Sequence, residues 1–266
     1  MPKFAANLST MFTELEPPAR FQAAADVGFD TVEFLRPYSW PVAEVKQWLD
    51  DAGQRMILLN TSPGDPDKGE RGLAALPGRE AEFRETFDQA LEYASGLGAY
   101  MIHVMAGVVP EGTSTEACDE VFVSNLKATA PVAKEKGVRL NLEPLNLQDV
   151  PGYHHTKTAH TRRIIDAVAG DNVFMQYDFY HMQVVQGDLV RTYERLRERI
   201  NHVQVADNPG RHEPGTGEIN YGFVFAALER LGYAGWVGCE YVPATTARDG
   251  LRWMEDLLAN RRREVL

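Results

Sequence analysis

Only two cysteines, Cys118 and Cys239, occur in 266 residues. They stand far apart with no C-x-x-C neighbour, which excludes a disulfide framework and a redox pair. Cys239 sits in an apolar, strand-like run and reads as a buried thiol. Long apolar stretches are missing too. None approaches the roughly 18 residues that a bilayer span needs, and the opening MPKFAANLST lacks the apolar segment of a signal peptide. The expected location is cytoplasmic, with no membrane partner. Basic residues are in deficit, 27 Lys+Arg against 38 Asp+Glu, for a formal net charge of −11. A nucleic-acid partner needs a basic patch for its phosphates, and the longest basic run is "RRR" at 261–263, in the C-terminal tail. A small acidic ligand would also be repelled at long range, so it needs a local positive charge, which a metal ion can supply. Low-complexity tracts, Pro/Ser-rich linkers and shifts of composition are absent, and one domain over 1–266 is expected.

What the chain does contain is an alternation. Short β-like runs fall at 3–7, 31–34, 55–60, 100–105, 139–143, 173–178, 200–206 and 236–240. Amphipathic helical patterns fall between and after them, at 17–27, 41–52, 80–97, 114–136, 158–169, 188–198, 220–231 and 246–262. Pro17-Pro18 and Thr246 act as start signals, Gly28 and Gly232 as stop signals. Strict βα alternation of this kind predicts an α/β protein, a single (β/α)8 TIM barrel with parallel strands. The runner-up, a doubly wound open sheet, lacks a G-x-G-x-x-G after the first strand, and "GTGEIN" at 215–220 fails that pattern at its last glycine.

A barrel places its chemistry at the C-terminal ends of its strands. There the sequence puts Asn7, Glu33, Asn60 and His103 in the first half, and Glu143, Asp178, Gln204 and Glu240 in the second. Three carboxylates brought together out of water oppose one another's ionisation, so either some are protonated or a cation lies between them. Carboxylate and amide oxygens without a thiolate form a hard set suited to Mg2+ or Mn2+. Taken singly, Glu143 or Glu240 could be a strand-end charge reaching solvent. His181 is expected in the loop after the sixth strand, as a hydrogen-bond donor to a bound ligand. His154 and His155 read as surface loop histidines, and His103 and His202 as histidines of the barrel wall, with His103 kept as a substrate-contact candidate. Two long segments, 61–79 and 144–157, are placed to fold over the rim as a lid.

"EPLN", "QYDFYHMQ", "HVQVADNPGRHEPGTGEINY" and "GWVGCEY" resemble the hydroxypyruvate isomerase family, within the xylose-isomerase-like barrels. The likeness extends from "FAANLS" and "GFDTVEF" through "ALPGRE" to "GLRWM". It implies one divalent cation held by Glu143, Asp178, Gln204 and Glu240, no nicotinamide or flavin, and conversion of hydroxypyruvate to 2-hydroxy-3-oxopropanoate. Gln204 stands where sugar epimerases of the wider group tend to carry histidine. Moving a carbonyl from C2 to C3 takes a proton from C3 and returns one to C2, work that Glu143 and Glu240 can divide. Arg211 is the candidate for a two-pronged hold on the substrate carboxylate, an exposed loop arginine being the alternative, and Asp207 and Glu218 are expected to orient its loop. Asn7, Glu33, Asn60 and His103 complete the substrate-contact candidates. Rival readings are a 2-oxotetronate isomerase, a ketose 3-epimerase, an abasic-site endonuclease and a non-catalytic sugar-acid-binding protein. Assembly is left open, a homo-oligomer included.

Overall fold

The computed structural model describes residues 2–256. Eight strands, β1 (Lys3–Asn7), β2 (Thr31–Glu33), β3 (Arg55–Asn60), β4 (Met101–His103), β5 (Arg139–Leu142), β6 (Val173–Asp178), β7 (Ile200–Val205) and β8 (Trp236–Cys239), pair in chain order and close into a parallel barrel. Closure is made by β1 and β8, where Lys3 faces Trp236 and Ala6 faces Cys239. The single (β/α)8 barrel expected from the alternation is therefore what forms, and its ring leaves no open sheet edge.

The outer layer holds α1 (Pro17–Asp26), α2 (Val42–Asp51), α3 (Glu80–Leu97), α4 (Thr115–Glu135), α5 (Thr158–Val168), α6 (Phe179–Val185), α7 (Leu189–Leu196) and α8 (Tyr221–Arg230). Local chemistry sets several of the starts. Pro17 and Pro18 open α1, the Ser114 hydroxyl accepts from the Ala117 N–H to cap α4, and Asn220 Oδ1 does the same for α8 from Phe223. Of the helix expected at 246–262, a 3-10 turn forms at Asp249–Leu251 and runs into α-helix over 252–256, and the part beyond 256 lies outside the described residues. One helix was not expected. Asp178 ends β6 and immediately caps α6, its Oδ1 accepting from the Tyr180 N–H at 2.8 Å, so His181 stands on a short helix and not in a loop.

The main apolar core lies between the strands and the helices. Inside the barrel a small apolar plug of Ala5, Ile57, Leu58 and Met101 lies at the lower end. Above it the filling is polar: Asn141, Gln176, His202, Gln204 and Glu33 are all buried. Their amides form a chain, with Asn141 Nδ2 donating to Gln176 Oε1 at 3.4 Å and Gln176 Nε2 donating to Gln204 Oε1 at 2.7 Å. Both cysteines are buried and free. Among the described residues, no helix is long and apolar enough to cross a membrane.

Candidate active site

At the C-terminal mouth lies a cavity of about 360 Å³, a volume at the small end of ligand sites, with Asn60, His103, Glu143, His181, Arg211 and Glu240 among its lining. Glu143 and Glu240 stand one residue past the ends of β5 and β8, so each leaves its strand pointing at the mouth. Both are buried, as is Asp178. Burial is the first cause that raises all three carboxyls: Glu143 well up, with the charges of Glu240 and Asp178 adding to it, Asp178 to about 6, and Glu240 to about 8. The charge of Arg211 opposes the rise at each.

Two carboxylate oxygens, Glu143 Oε1 and Asp178 Oδ2, are buried with no hydrogen-bond partner. Ligand atoms of Glu143, Asp178 and His181 lie within 4.8 Å of one another. Orphaned anionic oxygens at this spacing, in a site where ionisation is otherwise resisted, fit a hard divalent cation. Glu143 and Asp178 are the residues that could hold it, with Glu240 alongside.

Glu240 is tied on its other sides. Its Oε1 accepts from Arg211 Nη2 at 2.9 Å, and its Oε2 accepts from Asn7 Nδ2 at 3.1 Å and Gln204 Nε2 at 2.7 Å. The same two amide groups also donate to Glu33 Oε2, at 3.1 and 2.8 Å. Asn7 and Gln204 thus form a bridge of N–H groups between two carboxylates, and His202 Nε2 lies 2.6 Å from the other Glu33 oxygen. Gln204 turns its nitrogen toward Glu240 because Gln176 occupies its oxygen; ligation through Oε1 requires this amide to turn over. Asn7 and Glu33, placed on the rim by the sequence, form the floor one level below the cavity. Gly238 of β8 makes room for that floor, since a Cβ there would stand 2.2 Å from Glu33 Oε1.

His181 is oriented by Asn146. The main-chain N–H and the side-chain amide of Asn146 meet its Nδ1 at 3.3 and 2.8 Å, which assigns the ring proton to Nε2. Nε2 then faces Asp178 Oδ2 at 3.8 Å and Glu143 Oε1 at 4.0 Å. Burial, then Arg211, holds His181 well below its ordinary range, and burial takes His103 down to about 3, so both rings are neutral near pH 7. His103 Nδ1 lies 3.3 Å from Glu143 Oε2.

Arg211 reaches the mouth over the Tyr180 ring, 5.1 Å from its centroid, with Nη1 3.5 Å from Asp149 Oδ2. Its backbone is left-handed, φ 54°, held by the Val242 N–H donating to its carbonyl at 3.0 Å. Asp207 builds the loop around it: its carboxylate accepts the N–H groups of Asn208, Gly215, Gly217 and Ile219 at 2.9–3.0 Å. The segment 61–79 contributes Pro63, Pro66 and Arg71 to the lining, and 144–157 contributes Leu145 and Val150. Asn146, Asp149 and Tyr180 were not singled out from the sequence; Asn146 closes "EPLN" and Tyr180 lies within "QYDFYHMQ", and that membership is the signal that could have found those two. The histidines His154 and His155 are buried, not on the surface, because their loop folds into the groove beside α4, with both rings 5.7 Å from Phe122.

Residues 21–257 match the model of the xylose isomerase-like TIM barrel family. A 2-oxo-tetronate isomerase of Haemophilus influenzae is 45% identical over 255 residues, covering 96% of this chain and 99% of that protein. A hydroxypyruvate isomerase of Escherichia coli is 44% identical over the same shares. A solved structure described as an AP endonuclease, family 2, from Brucella melitensis superposes with a TM-score of 0.94 at 42% identity, covering 96% of this chain and 99% of that one. On the family match and these nearly full-length identities, the chain is an isomerase and belongs to the hydroxypyruvate isomerase family of xylose isomerase-like TIM barrels.

Proposed function

We propose that the chain interconverts hydroxypyruvate and 2-hydroxy-3-oxopropanoate, with Glu143 and Glu240 as the acid/base pair. The observation that carries the reading is the approach of these two glutamates to one small cavity from β5 and β8, both with carboxyls raised by burial, that of Glu240 to about 8. A carboxyl near the working pH can both accept and return a proton. One glutamate removes a proton from C3 of the 2-oxo acid and the other delivers one to C2, while the O3 hydroxyl proton passes to O2, so that the carbonyl ends on C3. Arg211 pairs with the substrate carboxylate, and His181 donates from Nε2 to a substrate oxygen. The Asn7–Gln204 bridge holds Glu240 in place, and His103 stays neutral beside Glu143. Mg2+ or Mn2+ bound at Glu143 and Asp178, with Glu240 and Gln204 in reach, would supply positive charge beside the two oxygens on which enediolate charge develops. The segments 61–79 and 144–157 exclude water from the reacting carbons.

The Haemophilus relative's name favours a second reading, a four-carbon 2-oxo acid in the same site. Side-by-side assay of hydroxypyruvate and 2-oxotetronate decides between them: a higher kcat/KM for the three-carbon acid is expected, and a preference of tenfold or more for the four-carbon acid would move the assignment. The endonuclease reading suggested by the Brucella structure's description is opposed by the net charge of −11, which repels a phosphate backbone at long range.

A further inference from the structure

Away from the mouth, one cluster of side chains plays no part in the chemistry above. Asp119 lies near the start of α4, His154 in the loop that follows β5, and His160 in the first turn of α5. The Nε2 atoms of His154 and His160 stand 2.8 and 2.6 Å from a single oxygen, Asp119 Oδ1. All three ligand atoms lie within 4.8 Å of one another. The His154 side chain is 0% exposed; its ring interacts with the Asp119 carboxylate and the Thr115 main chain, but at angles that leave both ring nitrogens short of a well-aligned hydrogen bond. It is locked there by its main-chain N–H donating to the Gly107 carbonyl at 3.0 Å and by the Phe122 ring against its edge. A buried nitrogen left unsatisfied costs about 1–3 kcal/mol unless something claims its lone pair.

Two imidazoles and one carboxylate form a borderline ligand set, that of zinc and neighbouring transition ions, unlike the all-oxygen preference of Mg2+. Burial, with the charge of His160 second, takes His154 down to about 4, so its ring is neutral and available as a ligand. Asp119 and His160 are 30% and 14% exposed, which leaves an open side for entry and for a water ligand. Around a zinc at about 2.1 Å, tetrahedral ligands stand roughly 3.4 Å apart, so Asp119 must back off by about 0.7 Å from its 2.8 and 2.6 Å contacts, and its exposure permits that.

We propose that Asp119, His154 and His160 form a second metal site, for Zn2+ or a kindred transition ion, on the flank between α4 and α5. It staples the starts of both helices to the loop between β5 and α5. That loop also carries Asn146, which orients His181, and Asp149, which faces Arg211. Occupancy of the flank therefore stiffens two supports of the mouth.

The test is zinc titration of the metal-stripped full chain against a chromophoric chelator, with Tm followed in parallel. Wild type is expected to bind two equivalents and His160→Gln one. In a Glu143→Gln/Asp178→Asn background the flank equivalent should remain and raise Tm. Adding His160→Gln to that background should weaken its binding at least 100-fold. Asp119→Asn, also at a partly exposed side chain, must repeat the loss. A mouth-disabled protein that keeps its circular dichroism and binds no zinc would overturn the site, as would zinc binding unchanged by both His160→Gln and Asp119→Asn.

Discussion

Burial raises the carboxyls of both Glu143 and Glu240, with the charge of Glu240 adding to the rise at Glu143 and those of Asp178 and Glu33 to the rise at Glu240, but their surroundings differ. Glu240 is gripped by Arg211, Asn7 and Gln204, whereas Glu143 has one oxygen without a partner. Replacing either by Gln keeps the shape and removes the proton exchange. Glu143→Gln and Glu240→Gln are each expected to lower kcat by about 10²–10⁴ with native circular dichroism, and turnover within tenfold of wild type would remove that glutamate from the acid/base role. Arg211→Lys keeps the charge but loses the planar fork, so KM for the 2-oxo acid should rise about tenfold or more with a smaller change in kcat. Glu143, Asp178 and Glu240 were legible because a polar residue at the end of an apolar strand has few other reasons to be there. The direction of the Gln204 amide was not, because it depends on Gln176 and Asn141, two side chains on other strands that meet it only once the barrel closes.

At the scale of elements, the site rests on a floor and a loop. Gly238 keeps β8 clear of Glu33, and Gly238→Ala should cost about 1–3 kcal/mol in urea unfolding, because the buried carboxylate has nowhere to move. A midpoint unchanged from wild type would mean that Glu33 does not need that space. The eight strands were readable from apolar runs and their punctuation. Their last residues were read for β1, β3 and β6 but not throughout: β5 and β8 stop at Leu142 and Cys239, one residue short of the expected ends. Helix α6, seven residues long, is too short for its period to register, and its start depends on Asp178 serving both strand and cap. The burial of His154 and His155 is likewise set by packing against α4, which a local reading of a polar loop does not contain.

For the whole molecule, charge and buried protons set the response to pH. The folded pKa values of His103 and His154, about 3 and about 4, lie below the ordinary 6.5, so the stability they contribute is complete above pH 6.5 and is lost as pH falls through those values. The Glu240 carboxyl is raised to about 8, so its contribution is complete below pH 4.5 and is lost as pH rises through 8. Metal-free protein should therefore show Tm falling as pH drops from about 6.5 toward 3, and falling again as pH rises from 7 through 8, and added Mg2+ should flatten the alkaline limb. A metal-free Tm that rises steadily from pH 7 to 8.5 would contradict the raised carboxyls.

The most direct test is proton NMR of hydroxypyruvate in D2O with enzyme stripped by a chelator and then reloaded with Mg2+ or Mn2+. Neither product nor deuterium exchange at C3 is expected from the stripped enzyme, and both should return on reloading and vanish again in Glu240→Gln. Full turnover in excess chelator would contradict a cation held among the carboxylates at the barrel mouth.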